Sequence, residues 1–228
     1  VLCFAEGRTD KGDFAASTLV MKRSHDGGQT WSQPQEIAMS QNHPVHNAVP
    51  IVDKIKSDDG KSIIHMTYCV GYRRCYYIKS TDDGITFTEP REITSIFNSY
   101  KKIYTPRAIA TGCGHGIQIQ QGNHKGRLLI TTWIAKIRCA HRPSRTTTIY
   151  SDDHGDTWKT GEIIPRNGLQ NPNEAQLVEL PNEKIMCMIR HESKKKPKDA
   201  RKAISLSNTG IGGWSPMKRH PDLLEPVC

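Results

Sequence analysis

Cysteine pairs at metal-binding spacing are missing from these 228 residues, as are Asn-x-Ser/Thr sequons, sustained helical periods and long apolar runs. The seven cysteines (Cys3, Cys69, Cys75, Cys113, Cys139, Cys187 and Cys228) are scattered and odd in number. That argues against a CxxC-type zinc site and against a full disulfide framework. Cys113-Gly114-His115 invites a metal reading, but a single Cys/His pair is ordinarily structural, so no metal is expected. The longest apolar run, Leu128 to Ala135, is broken by two threonines and falls far short of the ~20 residues of a membrane span. It reads as a buried strand, and no membrane-spanning segment is expected. Neither an initiator methionine nor a signal peptide is visible, and Val1-Leu2-Cys3-Phe4-Ala5 reads as the middle of a strand, which leaves the compartment open.

Positive charge is in excess. Lys and Arg number 32 against 23 Asp and Glu, for a net charge of +9. Such a balance suits an acidic partner, and nucleic acid, anionic lipid and carboxylated sugars would all fit. No aromatic-rich stacking platform accompanies the charge, so nucleic acid is not the expected partner. The densest basic run, Lys194-Lys195-Lys196-Pro197-Lys198, lies between strand-like segments and is expected to be a solvated hairpin loop. A hydrophobic content of 36% and a mean hydropathy of −0.60 fit a soluble globular chain, long enough for one or two domains.

One pattern recurs. Ser24-His25-Asp26-Gly27-Gly28-Gln29-Thr30-Trp31 is followed by Ser80-Thr81-Asp82-Asp83-Gly84-Ile85-Thr86-Phe87 and by Ser151-Asp152-Asp153-His154-Gly155-Asp156-Thr157-Trp158. Each fits S-x-D-x-G-x-T-[W/F]. A degraded copy from Ser207 to Trp214 keeps the first and last positions and lacks the aspartate. The aspartate can accept hydrogen bonds from backbone N–H groups and hydroxyls, closing a tight turn on itself. The glycine supplies a positive φ, and the aromatic folds over the turn. Asp26, Asp82 and Asp153 are therefore expected to be turn closers away from any site. Segments around these boxes alternate as strands do, among them Ser17 to Lys22, Ser62 to Met66, Leu177 to Leu180 and Ile185 to Met188. Boxes recur every 56 to 71 residues, roughly one four-stranded blade plus loops. An all-β propeller with about four blades follows.

The box resembles the Asp box of sialidases, although other propellers use it too. Further segments strengthen the resemblance. Phe4-Ala5-Glu6-Gly7-Arg8 followed by Asp13 resembles the family's "A-E-x-R" strand and its loop aspartate. Asn47-Ala48-Val49-Pro50-Ile51-Val52-Asp53 resembles "N-P-x-P-V-x-D". Gly112-Cys113-Gly114-His115-Gly116-Ile117-Gln118 resembles "GPGHGIQ", with Cys113 in place of proline, and Gly126-Arg127-Leu128-Leu129 resembles "GRLV". Asn173-Glu174-Ala175-Gln176-Leu177-Val178-Glu179-Leu180 and then Met188-Ile189-Arg190 resemble "E-x-Q-x-V-E-L…R".

The resemblance implies a six-bladed β-propeller of four-stranded antiparallel blades. Residues 1–228 would form a partial domain truncated at both ends, with about four blades present. It also implies a retaining exo-α-sialidase acting on sialylated glycoconjugates without a cofactor. A sialoside carries a carboxylate on its anomeric carbon, so a tyrosine assisted by a glutamate replaces the usual carboxylate nucleophile. Glu174 matches that glutamate and Asp13 the general acid/base. Arg190 matches one of three arginines that clamp the substrate carboxylate through planar, bidentate hydrogen bonds, and Arg8 an additional arginine beside it. Glu6, Asn47 and Trp133 match positions lining the sugar pocket. The remaining two clamp arginines and the tyrosine have no match in this chain, so residues 1–228 alone are expected to be inactive. On residue type alone, Arg190 could instead pair with Glu192, and His115 between its glycines is expected to hold a turn. Two other functions fit the boxes: a non-catalytic binding propeller, and a hydrolase of another 2-keto sugar acid.

Overall fold

The computed structural model describes residues 1–56, 60–192 and 200–225. The basic run at 194–198 lies outside the described residues. Among the described residues, sixteen strands form four antiparallel sheets, each a meander that follows chain order. Sheet 1 contains β1 (Leu2–Arg8), β2 (Ser17–Arg23) and β3 (Gln35–Met39). Sheet 2 contains β4 (Val45–Lys56), β5 (Ser62–Val70), β6 (Arg74–Ser80) and β7 (Arg91–Glu92). Sheet 3 is built from β8 (Ala108–Thr111), β9 (Ile117–Gln118), β10 (Leu128–Ile137), β11 (Arg142–Ser151) and β12 (Lys159–Thr160). Sheet 4 holds β13 (Ala175–Glu179), β14 (Ile185–Ile189), β15 (Arg201–Ser207) and β16 (Lys218–Leu224).

The apolar core lies between consecutive sheets. Leu19 of sheet 1 packs with Met66 and Ile78 of sheet 2. Ile51 and Tyr77 of sheet 2 pack with Ile130 and Trp158 of sheet 3, and Leu129 of sheet 3 with Leu177 and Ile185 of sheet 4. A sheet covered on both faces needs apolar residues on both. That is why β10 is buried continuously from Leu128 to Ala135 instead of alternating.

The strand count departs from four per sheet in two places. Sheet 3 has a fifth strand because its first strand is split: β8 and β9 both pair with β10 and are separated by Gly112 to Gly116. The break follows from close approach to β10 and to both neighbouring sheets. A Cβ on Gly112 would lie 1.9 Å from Thr131 Oγ1 of β10 and 3.0 Å from Ala175 O of sheet 4. One on Gly116 would lie 2.6 Å from Leu129 O of β10 and 2.6 Å from Ile51 Cγ1 of sheet 2. Sheet 1 has three strands. Its box joins its last two, as the boxes of the other sheets do, so β1, β2 and β3 are equivalent to the last three strands of sheet 2.

The boxes form the turns expected of them. Ser24 Oγ donates to Asp26 Oδ1 (2.7 Å) and accepts from Gly28 N (2.7 Å), while Thr30 Oγ1 donates to Asp26 Oδ2 (2.6 Å). Ser80, Asp82, Gly84 and Thr86 repeat the arrangement, as do Ser151, Asp153, Gly155 and Thr157. In the degraded copy Ser207 Oγ still accepts from Gly210 N (3.0 Å). Trp158 and Trp214 are buried, whereas Trp31 remains 39% exposed.

A buried polar network joins sheets 2 and 3. The Asp53 carboxylate, ending the Asn47 to Asp53 segment, accepts from Gln118 Nε2 (2.7 Å) and meets His65 Nε2 (3.2 Å) and His154 Nδ1 (2.8 Å). His154 belongs to the third box, so the turn is tied to the neighbouring sheet. Among the described residues, no group of three or more metal-ligating side chains converges, and no helix is long and apolar enough to cross a membrane.

Candidate active site

At the end of the sheets opposite the box turns, a cavity of 1510 Å³ opens between sheets 1, 2, 3 and 4. All seven residues singled out from the sequence line it: Glu6, Arg8, Asp13, Asn47, Trp133, Glu174 and Arg190. They are 184 positions apart at the extremes, Glu6 to Arg190. What brings them together is topology, because each sheet contributes the same end of its strands. The cavity also runs along β1 to Val1 and reaches Trp31, the one box aromatic on its wall.

Glu6 and Arg8 point the same way because they are two apart on β1. Glu6 Oε2 accepts from Arg8 Nε (3.1 Å) and Nη2 (2.9 Å), while Glu6 Oε1 accepts the backbone N–H of Asn47 (3.0 Å). Glu6 therefore braces both Arg8 and the start of β4. Its hydrogen bond is the main influence raising the Arg8 pKa, which burial opposes. Asp13 lies on the β1–β2 loop with its side chain 64% exposed, and its Oδ1 is 3.6 Å from Arg8 Nη1. A loop carboxylate with one cationic neighbour can meet an incoming leaving group.

Across the cavity, Glu174 immediately precedes β13 and Arg190 immediately follows β14. Reciprocal backbone bonds prolong the ladder there: Asn173 N donates to Arg190 O (3.0 Å) and Arg190 N to Glu174 O (2.8 Å). Arg190 Nη1 then donates to Glu174 Oε2 at 2.6 Å. Glu192, the alternative partner by sequence, is instead held by Arg142 and by Asn171 Nδ2 (2.7 Å). Trp133 of β10 is buried within the cavity wall against Tyr72 and His141. His115 lines the cavity, its Nδ1 2.9 Å from Gly116 O, and its own carbonyl accepts from Gln176 Nε2 (2.6 Å). That agrees with a turn-holding role.

Two cavity residues, Tyr72 and His141, and one residue buried behind them, His46, escaped the sequence reading. Tyr72 is the second of three turn residues joining β5 to β6, and the first two are left-handed, Gly71 with φ 61° and Tyr72 with φ 55°. An aromatic residue resists that conformation, so strain is stored at this position. Burial chiefly, then Asp13 and Glu6, pushes the Tyr72 phenol well above its usual pKa, leaving it a proton donor. His141 packs on Tyr72 at a tilt of 46°, with ring centroids 4.2 Å apart. Beneath Tyr72 lies His46, centroids 3.9 Å apart, its pKa held down to about 4 mainly by burial. Nothing local in Val70-Gly71-Tyr72-Arg73 marks its tyrosine as different from the others. A glycine at the first turn position was the one legible signal.

The BNR repeat-like domain family matches residues 1–223. The chain belongs to that family. A sialidase of Micromonospora viridifaciens is 25% identical over 232 residues, which span 92% of this chain and 33% of that protein. Sialidase-2 of Mus musculus is 29% identical over 191 residues, spanning 75% of this chain and 49% of the relative. The chain thus spans a third to a half of the length of these relatives. Among solved structures, the Trypanosoma rangeli sialidase bound to the inhibitor DANA superposes with a TM-score of 0.71 at 18% identity, covering 94% of this chain and 35% of that one. At that identity the likeness shows the fold. The BNR chain therefore shares its sheet arrangement with sialidases and is related in sequence to curated ones.

Proposed function

We propose that this BNR-family chain carries much of the active site of a retaining exo-α-sialidase, which removes terminal sialic acid from glycoconjugates. The observation that carries the reading is the convergence of two acid–arginine pairs, Arg8 with Asp13 and Arg190 with Glu174, on one cavity. A binding propeller needs the box turns but has no chemical use for two carboxylates flanked by guanidinium groups.

In this reading Arg190, with Arg8 beside it, receives the sialic acid carboxylate through charge-assisted hydrogen bonds. Asp13 protonates the departing glycosidic oxygen and then activates water. Glu174 takes the proton of the nucleophilic tyrosine, making a phenolate-like nucleophile that does not repel the anomeric carboxylate as an aspartate would. That tyrosine and the two further clamp arginines have no match among residues 1–228. Tyr72 is not assigned the role, because its raised pKa favours donation over attack. The four sheets, stacked in chain order with their cores between them, support a six-bladed propeller that more chain would close.

The test is ¹H NMR of an α-sialoside turned over by the full-length protein. Release of the α-anomer of sialic acid ahead of the β-anomer is expected. First release of the β-anomer would refute retention, and sialoside binding without turnover would favour the non-catalytic propeller.

A further inference from the structure

Four hydrogen-bonding groups meet where β4 enters the cavity wall, and their chemistry allows one arrangement of protons. The backbone N–H of Tyr72 points at His46 Nε2, 3.1 Å away. A backbone amide can only donate, so Nε2 must be the unprotonated acceptor nitrogen. The imidazole is buried, which disfavours the cation, so its single proton sits on Nδ1. Nδ1 is 2.5 Å from the side-chain oxygen of Asn47. A protonated Nδ1 requires an acceptor there, which fixes the Asn47 carboxamide with Oδ1 turned to His46 and the NH2 group turned away from it.

The Asn47 backbone is equally determined. Its N–H donates to Glu6 Oε1 (3.0 Å), its carbonyl accepts from Thr111 Oγ1 (2.5 Å), and its φ of 56° is the left-handed conformation that asparagine tolerates better than most residues. Asn47 lines the cavity, and its NH2 group has no hydrogen-bond partner among the described residues.

We infer that His46 is a positioning residue: as the neutral Nδ1–H tautomer it orients Asn47 so that the carboxamide offers hydrogen-bond donors, and no acceptor, to an oxygen of the bound sugar. This rests on the sialic-acid reading of the cavity for the identity of the sugar, but not for the tautomer. The same imidazole supports the strained Tyr72 turn through Nε2 and through ring stacking, so one buried side chain sets two neighbouring surfaces of the site.

Two measurements on the full-length protein test this. The first is ¹⁵N NMR of histidine-labelled protein near neutral pH, with His46 assigned by its loss in His46→Leu. An Nδ1–H tautomer is expected for His46; the Nε2–H tautomer, which predominates in free histidine, would overturn the inference. The second is calorimetric affinity for a 2,3-unsaturated sialic acid analogue. Leucine removes both ring nitrogens, whereas asparagine keeps a donor in place of Nδ1. His46→Leu should weaken binding about tenfold or more, the scale of one lost hydrogen bond with its stranded partner, and His46→Asn should recover most of it. Equal affinities for the two variants, both folded by circular dichroism, would also overturn it. If wild-type protein fails to bind the analogue, the sialic-acid reading and the sugar half of this inference fall together. The tautomer is still decided by the NMR result.

Discussion

Arg190 Nη1 lies 2.6 Å from Glu174 Oε2, across the paired ends of β13 and β14. Both side chains are partly exposed, at 29% and 26%, so the pair faces the cavity instead of being sealed in the core. A guanidinium in this position can hold the glutamate and still present a planar edge to a second carboxylate.

Replacing the guanidinium should separate charge from geometry. Arg190→Lys keeps the cation but not the fork, and Arg190→Ala keeps neither. Affinity for the unsaturated sialic acid analogue should fall about tenfold or more in both, with lysine regaining only part. Calorimetry reads this directly. Wild-type affinity in Arg190→Lys would mean that a point charge suffices and that no bidentate contact is made.

The split in the first strand of sheet 3 makes a stability prediction. Thr131 Oγ1 donates to Ala175 O (2.6 Å), tying sheet 3 to sheet 4 directly beside Gly112. A methyl group on Gly112 would overlap that hydroxyl at 1.9 Å and press on Ala175 O at 3.0 Å. Gly112→Ala should therefore cost about 2–3 kcal/mol through overpacking and the lost bond. Denaturant titration would show a lowered midpoint, and an unchanged midpoint would mean that the sheets separate here without penalty.

Acid should loosen the box turns. Hydrogen bonds from Thr30, then Ser24, hold the Asp26 carboxyl far below its ordinary value of 3.8. At Asp153 burial pushes the other way, but bonds from Thr157 and Ser151 outweigh it and leave a pKa of about 2. A carboxylate with a depressed folded pKa stabilises the fold above its unfolded value, and that contribution disappears as pH falls through the folded one. Denaturant midpoints should thus hold steady above about pH 4 and drop toward pH 2, with a smaller drop in Asp153→Asn. An identical acid profile in that variant would remove the turn carboxylate from the account.

The Asp53 network offers a buried counterpart. Asp53→Ala would strand Gln118, His65 and His154 around an empty acceptor position, with an expected loss of about 3 kcal/mol. Asp53→Asn keeps one acceptor oxygen and should cost less. The comparison of the two midpoints, not either alone, identifies hydrogen bonding as the cause; equal losses would point to packing.

The box turns and the alternation of β2 and β14 were legible in the sequence because they follow local chemistry: a serine, an aspartate and a glycine close a turn wherever they stand in that order. Asp13 and Glu174 were recognisable only through resemblance, since an isolated loop acid carries no local mark. The three-stranded sheet 1 and the split β8–β9 strand were not legible. The split depends on Thr131 and Leu129 of β10, and on Ala175 and Ile51 of the neighbouring sheets, which no window around Gly112 contains. Tyr72 and His46 were missed for the same reason. Their roles arise from a contact between the start of β4 and the β5–β6 turn, 26 residues apart.

Turnover of a fluorogenic α-sialoside by the full-length protein, beside its Asp13→Ala and Glu174→Ala variants, tests the central assignment most directly. The account predicts clear hydrolysis by the wild type and a loss of about 10²–10⁴-fold in kcat in each variant, with the fold intact by circular dichroism. Wild-type turnover that survives either substitution, or a folded wild type with none, would contradict it.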